Sequence, residues 1–494
     1  MPLPWMTWIL LAALPVTQNH NDASLESARE IAARLEEQGR FTQASAVLTD
    51  ALSSPAPGDG RRRELEFARE RLRRIRHDYR LSADELFAAL DRSLTGLTRR
   101  EFDRWVTRGW FDRRWIDGEQ RFLAVSVSNL YFRHPGLNAR RRQPRSTAAE
   151  ARAYLANARE IRAAAGTSIG PRVLPKRLQV AMNLTVSPAA VRPGDQIRCW
   201  LPVPRSFPHQ TDFDLVRATP SVGQVAPESS PIRSAYFEQL AREGQPVRFE
   251  IEYAYTTWGI WFDLNSPPPG SPSERPPDLA ACLVEGPHLV FTDAMRHLSA
   301  KLAGDEADPA RRARRFYEWI ADHIRYSYAR EYSTIPHLGE YCLTQRYGDC
   351  GQATLLFMSL CRLNGIPARW QSGWSLFPDA ETIHDWCEIW LDPWGWVPVD
   401  PYMGIFAMQY ADSLSDRERR ELRDFTFGGL TQYRMAANSA HSQDLWPAKA
   451  SFRSDDVDFQ RGEVEVNGTN VFFDRFSSTL TWREISVTGP QPSR

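Results

Sequence analysis

A chain of 494 residues exceeds one ordinary domain, and 42% hydrophobic residues with 17 tryptophans are ample for packed cores, which excludes a wholly disordered protein. The formal net charge is zero, so nothing global draws the chain to nucleic acid or to an anionic membrane. Lysine occurs only at positions 176, 301 and 449, so the bases are almost all arginine, which a coding bias explains more simply than phosphate contacts.

Residues 1–18 hold a short apolar run, Trp5 to Val16, ahead of Thr17-Gln18-Asn19-His20. The run is too short to span a bilayer and has the length of a signal-peptide core, which predicts an exported protein, periplasmic or extracellular, without a stable membrane span. No Lys or Arg precedes it and no small-x-small cleavage site stands out, so an uncleaved anchor or a misassigned start is the alternative.

Residues 22–165 predict a mainly helical domain. ARLEEQGRFTQASAVLTDAL resembles a single tetratricopeptide-type helix pair, with Gly39, Ala44 and Leu48 at repeat-like positions and no second copy. Such a domain is the expected place for a protein partner. SSPAPGDG at 53–60 breaks the helices, and an Arg-rich helix over about 61–78 follows, read as a solvated surface with an anion-binding face as the alternative. Trp105, Trp110 and Trp115 recur every five residues, matching neither helical nor strand periodicity, and are read as core or as a stacking platform.

Residues 172–265 switch to strand character. RLQVAMNLTVSP and VRFEIEYAYTTW alternate strongly, with a turn at Val191-Arg192-Pro193-Gly194-Asp195, which predicts a small immunoglobulin-like β-sandwich. SPPPGSPSERPP opens a linker over 266–285. The unit at 286–410 starts a helix at Pro309, capped by Asp308, with Phe316, Ile320 and Ile324 on one face. Residues 411–494 are expected to form an accessory β-rich region, with a hairpin around Asn467-Gly468.

Within 286–410, GDCGQATLLFMSLCRLNGIPAR places Ala353, Leu356, Phe357, Leu360 and Cys361 at helical spacing, and Asn364-Gly365 before Pro367 is a helix stop. Cys350 therefore sits in the first helical turn, where free backbone N–H groups and the positive dipole end are expected to lower the thiol pKa. In HDWCEIWL alternation puts His384, Trp386, Glu388 and Trp390 on one face and Asp385, Cys387, Ile389 and Leu391 on the other. WVPVD reads as a second strand, antiparallel to the first and at an edge because Pro398 removes a ladder donor, so His384 and Asp400 can lie side by side. Thiol, imidazole and carboxylate in this series are what an activated-nucleophile mechanism needs.

These three stretches, GDCGQATLLFMSLCRLNGIPAR, HDWCEIWL and WGWVPVDP, resemble the transglutaminase-like superfamily, a branch of the papain-like thiol enzymes, in order and approximate spacing. The resemblance covers roughly residues 305–405. It implies a papain-like transglutaminase core with a preceding β-sandwich, which with the N-terminal helical domain and C-terminal β-rich tail read above makes the expected chain α+β. It implies Cys350 as nucleophile, His384 as general base and acid, and Asp400 as the orienting carboxylate. Gln345 and Tyr347, ahead of the nucleophile, are its candidates for stabilising an oxyanion, and Trp374 and Trp386 for further substrate contact. The implied substrate is a peptide or protein.

No G-x-G-x-x-G, P-loop or H-E-x-x-H occurs, the six cysteines include no C-x-x-C, and the ten histidines are dispersed, so no cofactor and no metal site are expected. With Cys350 free, at most two disulfides can form. Three readings remain. One is thiol-dependent chemistry on peptide or glutamine-type amides, favouring hydrolysis over transfer to an amine. The second is removal of glycans from asparagine, whose enzymes in this superfamily carry zinc-binding Cys pairs that this chain lacks. The third is a scaffold or binding protein on the same fold.

Overall fold

The computed structural model describes residues 20–53, 59–266 and 275–486. The apolar leader, the middle of the 53–60 breaker and residues 267–274 of the linker lie outside them. The chain divides into two units, Met1–Ser82 with Arg113–Phe122, and Ala83–Asp112 with Leu123–Arg494.

In the first unit, helices α1 (His20–Glu37), α2 (Phe41–Ser53) and α3 (Asp59–Asp78) are joined by a hairpin of β1 (Arg113–Ile116) and β2 (Glu119–Phe122). Gly39, at φ +75°, turns the chain between α1 and α2, and a Cβ there would lie 2.8 Å from Trp115 O. Arginines of α3 are in ion pairs: Arg73 and Arg74 with Glu70, Arg71 with Glu36, and Arg76 with Asp117. Trp115 lies exposed in this unit.

The second unit holds α4 (Ala83–Ser93), α5 (Arg99–Thr107), α6 (Ser126–Arg133) and α7 (Ala148–Ala165). The helical stretch expected as one domain over 22–165 is thus divided. Its later helices bond to the following elements: Asn129 exchanges hydrogen bonds with the main chain of Tyr328 at 3.0 and 2.8 Å, and Thr147 Oγ1 donates to Tyr410 O. Trp105 is buried and stacks on Trp110, which stacks in turn on His134.

Next come β3 (Arg172–Val186), β4 (Gln196–Pro202), β5 (Gln210–Thr219), β6 (Gln224–Val225), β7 (Ser234–Leu240) and β8 (Arg248–Trp261). The core follows with α8 (Asp293–Ala303), α9 (Pro309–His323), β9 (Arg325–Tyr326), α10 (Leu338–Gln345), β10 (Tyr347–Gly348) and α11 (Cys350–Leu363). Then come β11 (Ala368–Ser375), β12 (Thr382–Leu391), β13 (Gly395–Val399), α12 (Pro401–Gln409), α13 (Asp416–Phe425), β14 (Gly429–Leu430) and β15 (Arg434–Asn438). The chain ends in β16 (Glu463–Val466), β17 (Thr469–Val471) and β18 (Phe476–Ile485).

Two antiparallel sheets share one buried cluster: β14-β8-β3-β18 with β5 on β8, and β17-β16-β4-β7-β6. The C-terminal strands, expected in an accessory region of their own, complete these sheets, because β18 pairs along most of β3 and β16 pairs with β4. The β16–β17 hairpin turns at Asn467 and Gly468, both at positive φ.

A third antiparallel sheet, ordered β13-β12-β11-β15, carries the core, with α11 against it. Helix α11 is buried from Gly351 to Cys361, around its whole circumference and not along one stripe, as a helix enclosed by neighbours must be. Its start is fixed by a capping box between Asp349 and Gln352, and Gly365 at φ +70° follows its end. Register in the sheet depends on Gly373, where a Cβ would overlap the Met435 carbonyl of β15. Gly373→Ala is expected to lower stability by about 3 kcal/mol, because the clash is with the backbone of a paired strand, which cannot swing away as a side chain would. A denaturant midpoint equal to wild type would contradict this packing.

Candidate active site

Three elements bring the site together. Cys350 is the first residue of α11, His384 lies near the start of β12, and Asp400 caps α12 through a 3.0 Å hydrogen bond from the Met403 amide to Oδ1. His384 Nε2 lies 2.8 Å from Asp400 Oδ2, and Arg434 of β15 donates to the same oxygen at 2.6 Å. His384, Asp400 and Arg434 are all buried, whereas Cys350 is half-buried.

Burial pushes the Asp400 carboxyl up, but the His384 ring, the Arg434 guanidinium and the Met403 amide hold it below its ordinary value. A carboxylate can only accept, so His384 Nε2 carries the proton and Nδ1 keeps its lone pair. Burial lowers the His384 pKa, with Arg434 acting in the same sense and Asp400 against it, so the ring is neutral near pH 7.

Cys350 and His384 open onto one cleft of about 480 Å³, with Tyr326 and Tyr402 also in its lining. Residues of α6, α7, the 379–381 loop and the start of β12 also border it, Glu150 and Glu381 among them. The Tyr402 ring lies edge-on to His384 at 5.5 Å and to Tyr326 at 5.1 Å. Burial raises both phenols well above their ordinary value, so each stays a protonated donor.

The helix start does not lower the thiol pKa as expected. Burial raises it well above its ordinary value, and the carboxyls of Asp385 and Asp349 add to the rise, while the Asp385 main chain opposes it. Sγ lies 3.3 Å from Asp385 Oδ2, and Gln460 Nε2 donates to the other oxygen, Oδ1, at 2.7 Å. Asp349 accepts from Tyr332 Oη at 2.7 Å and from the Gln352 amide at 3.0 Å.

The remaining sequence candidates fall elsewhere. Gln345 is exposed at the end of α10. The Tyr347 hydroxyl bonds Asp112 at 3.1 Å, and its ring lies under the Arg133 guanidinium at 3.6 Å. Neither lines the cleft. Trp374 bonds Gln460 O and packs against the core of the two larger sheets. Trp386 is buried and roughly parallel to the His384 ring at 6.0 Å, so it walls the imidazole from behind. Residues that motif reading missed are Arg434, Tyr326, Tyr402 and Gln460. Only Tyr402, two positions after Asp400, has a local signal.

All six cysteines are free. Among the described residues no cluster of His, Cys, Asp and Glu is arranged to hold a metal ion, and no helix is long and apolar enough to cross a membrane.

The chain is α+β, with a thiol at the start of α11, an imidazole on β12 and a carboxylate at the cap of α12. Residues 296–401 match the transglutaminase-like superfamily model, so the chain carries a domain of that superfamily. Solved structures similar to it include the following three. A candidate cysteine protease from Cytophaga hutchinsonii is 14% identical, covering 65% of this chain and 94% of its own, at a TM-score of 0.42. The periplasmic domain of TgpA from Pseudomonas aeruginosa is 15% identical over 52% of this chain and 95% of its own, at a TM-score of 0.27. The same domain bound to ethylmercury is 16% identical over 51% and 95%, at 0.25. No curated protein matches the chain.

Proposed function

We propose that the protein is an exported thiol-dependent hydrolase or acyltransferase acting on peptide or glutamine-type amides through an acyl-enzyme at Cys350. The observation that carries this reading is the 2.8 Å His384–Asp400 bond at the cleft onto which Cys350 opens. In this mechanism the Cys350 thiol gives its proton to His384 Nδ1 as sulfur attacks the amide carbonyl. The resulting imidazolium then protonates the leaving amine. Asp400 fixes the imidazole tautomer and stabilises the imidazolium, and Arg434 keeps Asp400 ionised and in place. Tyr326 and Tyr402 replace Gln345 and Tyr347 as candidate donors to the oxyanion, because they line the cleft and the earlier pair do not. Hydrolysis is favoured over transfer to an amine.

The test is a glutamine-containing peptide incubated with the chain, with and without a primary amine. Ammonia release without incorporation identifies hydrolysis, incorporation identifies transfer, and neither with any amide substrate supports the scaffold reading. The buried imidazole, held below its ordinary pKa of 6.5, stays a base on mild acidification. The acid limb of kcat/KM is therefore expected below pH 6.5, and a limb above it would contradict His384 as the base.

A further inference from the structure

Asp385 lies beside the nucleophile with no assigned task. Strand alternation turns its side chain away from His384, towards α11, so Oδ2 meets Cys350 Sγ at 3.3 Å while Oδ1 is held by Gln460 at 2.7 Å. The fit is close, since a Cβ on Gly351 would lie 2.9 Å from Oδ2. Three further carboxyls face it: Asp349 at the cap of α11, and Asp455 and Asp458 from the loop ahead of β16. Ser372 of β11 faces it too, and among the described residues no cation bonds it, Arg434 being committed to Asp400. Arg453 and Arg461 act on the Asp455 and Asp458 side.

Two acids at 3.3 Å cannot both lose their protons cheaply. We propose that Asp385 is a positioning residue that retains its own proton and donates it as a hydrogen bond to Cys350 Sγ, thereby setting the pH at which the thiolate forms. The inference rests on the reading of Cys350 as nucleophile. The thiol proton passes to His384 Nδ1, the Asp385 O–H bond stays intact, and O–H···S⁻ supports the thiolate. When Asp385 ionises, its charge opposes the thiolate and sulfur keeps its proton. Burial and the Asp349 carboxyl raise the Asp385 pKa well above its ordinary value, in the sense that this requires.

The test follows alkylation of Cys350 by iodoacetamide across pH, located by peptide mapping, in the full chain and in Asp385→Asn. The amide keeps the shape and the hydrogen bond to sulfur but cannot ionise. The midpoint is expected to stay within half a pH unit of wild type in this variant and to rise by one unit or more in Asp385→Leu, which has no donor, whereas a merely structural role would change rates and leave both midpoints in place. A midpoint that falls in Asp385→Asn, or that fails to rise in a folded Asp385→Leu, overturns the proposal. If the variant does not fold, infrared difference spectra of the wild-type chain decide. Alkylation should then perturb a protonated-carboxyl carbonyl band, and no perturbation overturns the proposal. Neither readout needs turnover. A raised midpoint in Asp385→Leu without amidase activity in the wild-type chain sinks the proposed function alone, and turnover with that midpoint unmoved sinks this inference alone.

Discussion

Cys350→Ala is expected to remove turnover, lowering kcat by roughly 10⁴-fold or more, because no other group can form the acyl-enzyme. The other five thiols offer no substitute. Cys199, Cys342, Cys361 and Cys387 are fully buried, and Cys282, in the segment ahead of the core, is buried as well. Burial raises the pKa of each of these five, which keeps them as thiols near neutral pH. Fold stability should change little, since Cys350 is half-buried at the cleft and its removal leaves the α11 capping box intact. A steady-state assay on an amide substrate, with circular dichroism as a fold control, reads both quantities. A folded variant with wild-type turnover would end the mechanism.

The three residues of the proposed triad were legible because each sits in a local pattern: a cap and helix start for Cys350, alternation for His384, and a strand followed by Asp-Pro for Asp400. Their supporting groups were not. Arg434 reaches Asp400 from β15, a strand added beyond β11 after a long excursion, and no motif around it announces that task. Gln460 comes from the loop before β16 to hold Asp385. The expected low thiol pKa failed for the same reason. It followed from the helix start alone, whereas the thiol's surroundings include a carboxyl from β12 as well as the helix's own cap. Long-range pairing explains the fold differences too. Nothing near residues 113–122 marks that hairpin as belonging with α1–α3, and nothing in 476–485 names β3 as its partner. Periodicity indicates that a segment is a strand; its partner is chosen by burial across the whole chain.

Asp400 separates orientation from architecture, since the same carboxylate does both. Asp400→Asn keeps an N-cap side chain for α12 but presents an amide to His384 Nε2, which favours the wrong tautomer. Activity is expected to fall on the order of 10³–10⁴-fold, with a measurable remainder, because attack can still proceed without the orienting charge. Asp400→Ala adds a structural cost of about 4 kcal/mol. It strips the cap and leaves buried Arg434 without the carboxylate it bonds at 2.6 Å, and an uncompensated buried charge is the larger of the two effects. The pH dependence has a definite sign. The folded Asp400 lies below its ordinary value of 3.8, so its contribution is complete above 3.8 and is lost as acid titrates the folded carboxylate. Above that value the wild-type chain should exceed Asp400→Ala in stability, and the gap should close on further acidification. Paired denaturation curves across that window, set beside kcat for both variants, distinguish the roles. If Asp400→Ala matched wild type in turnover, the carboxylate would be a cap and an Arg434 partner with no part in orienting the imidazole.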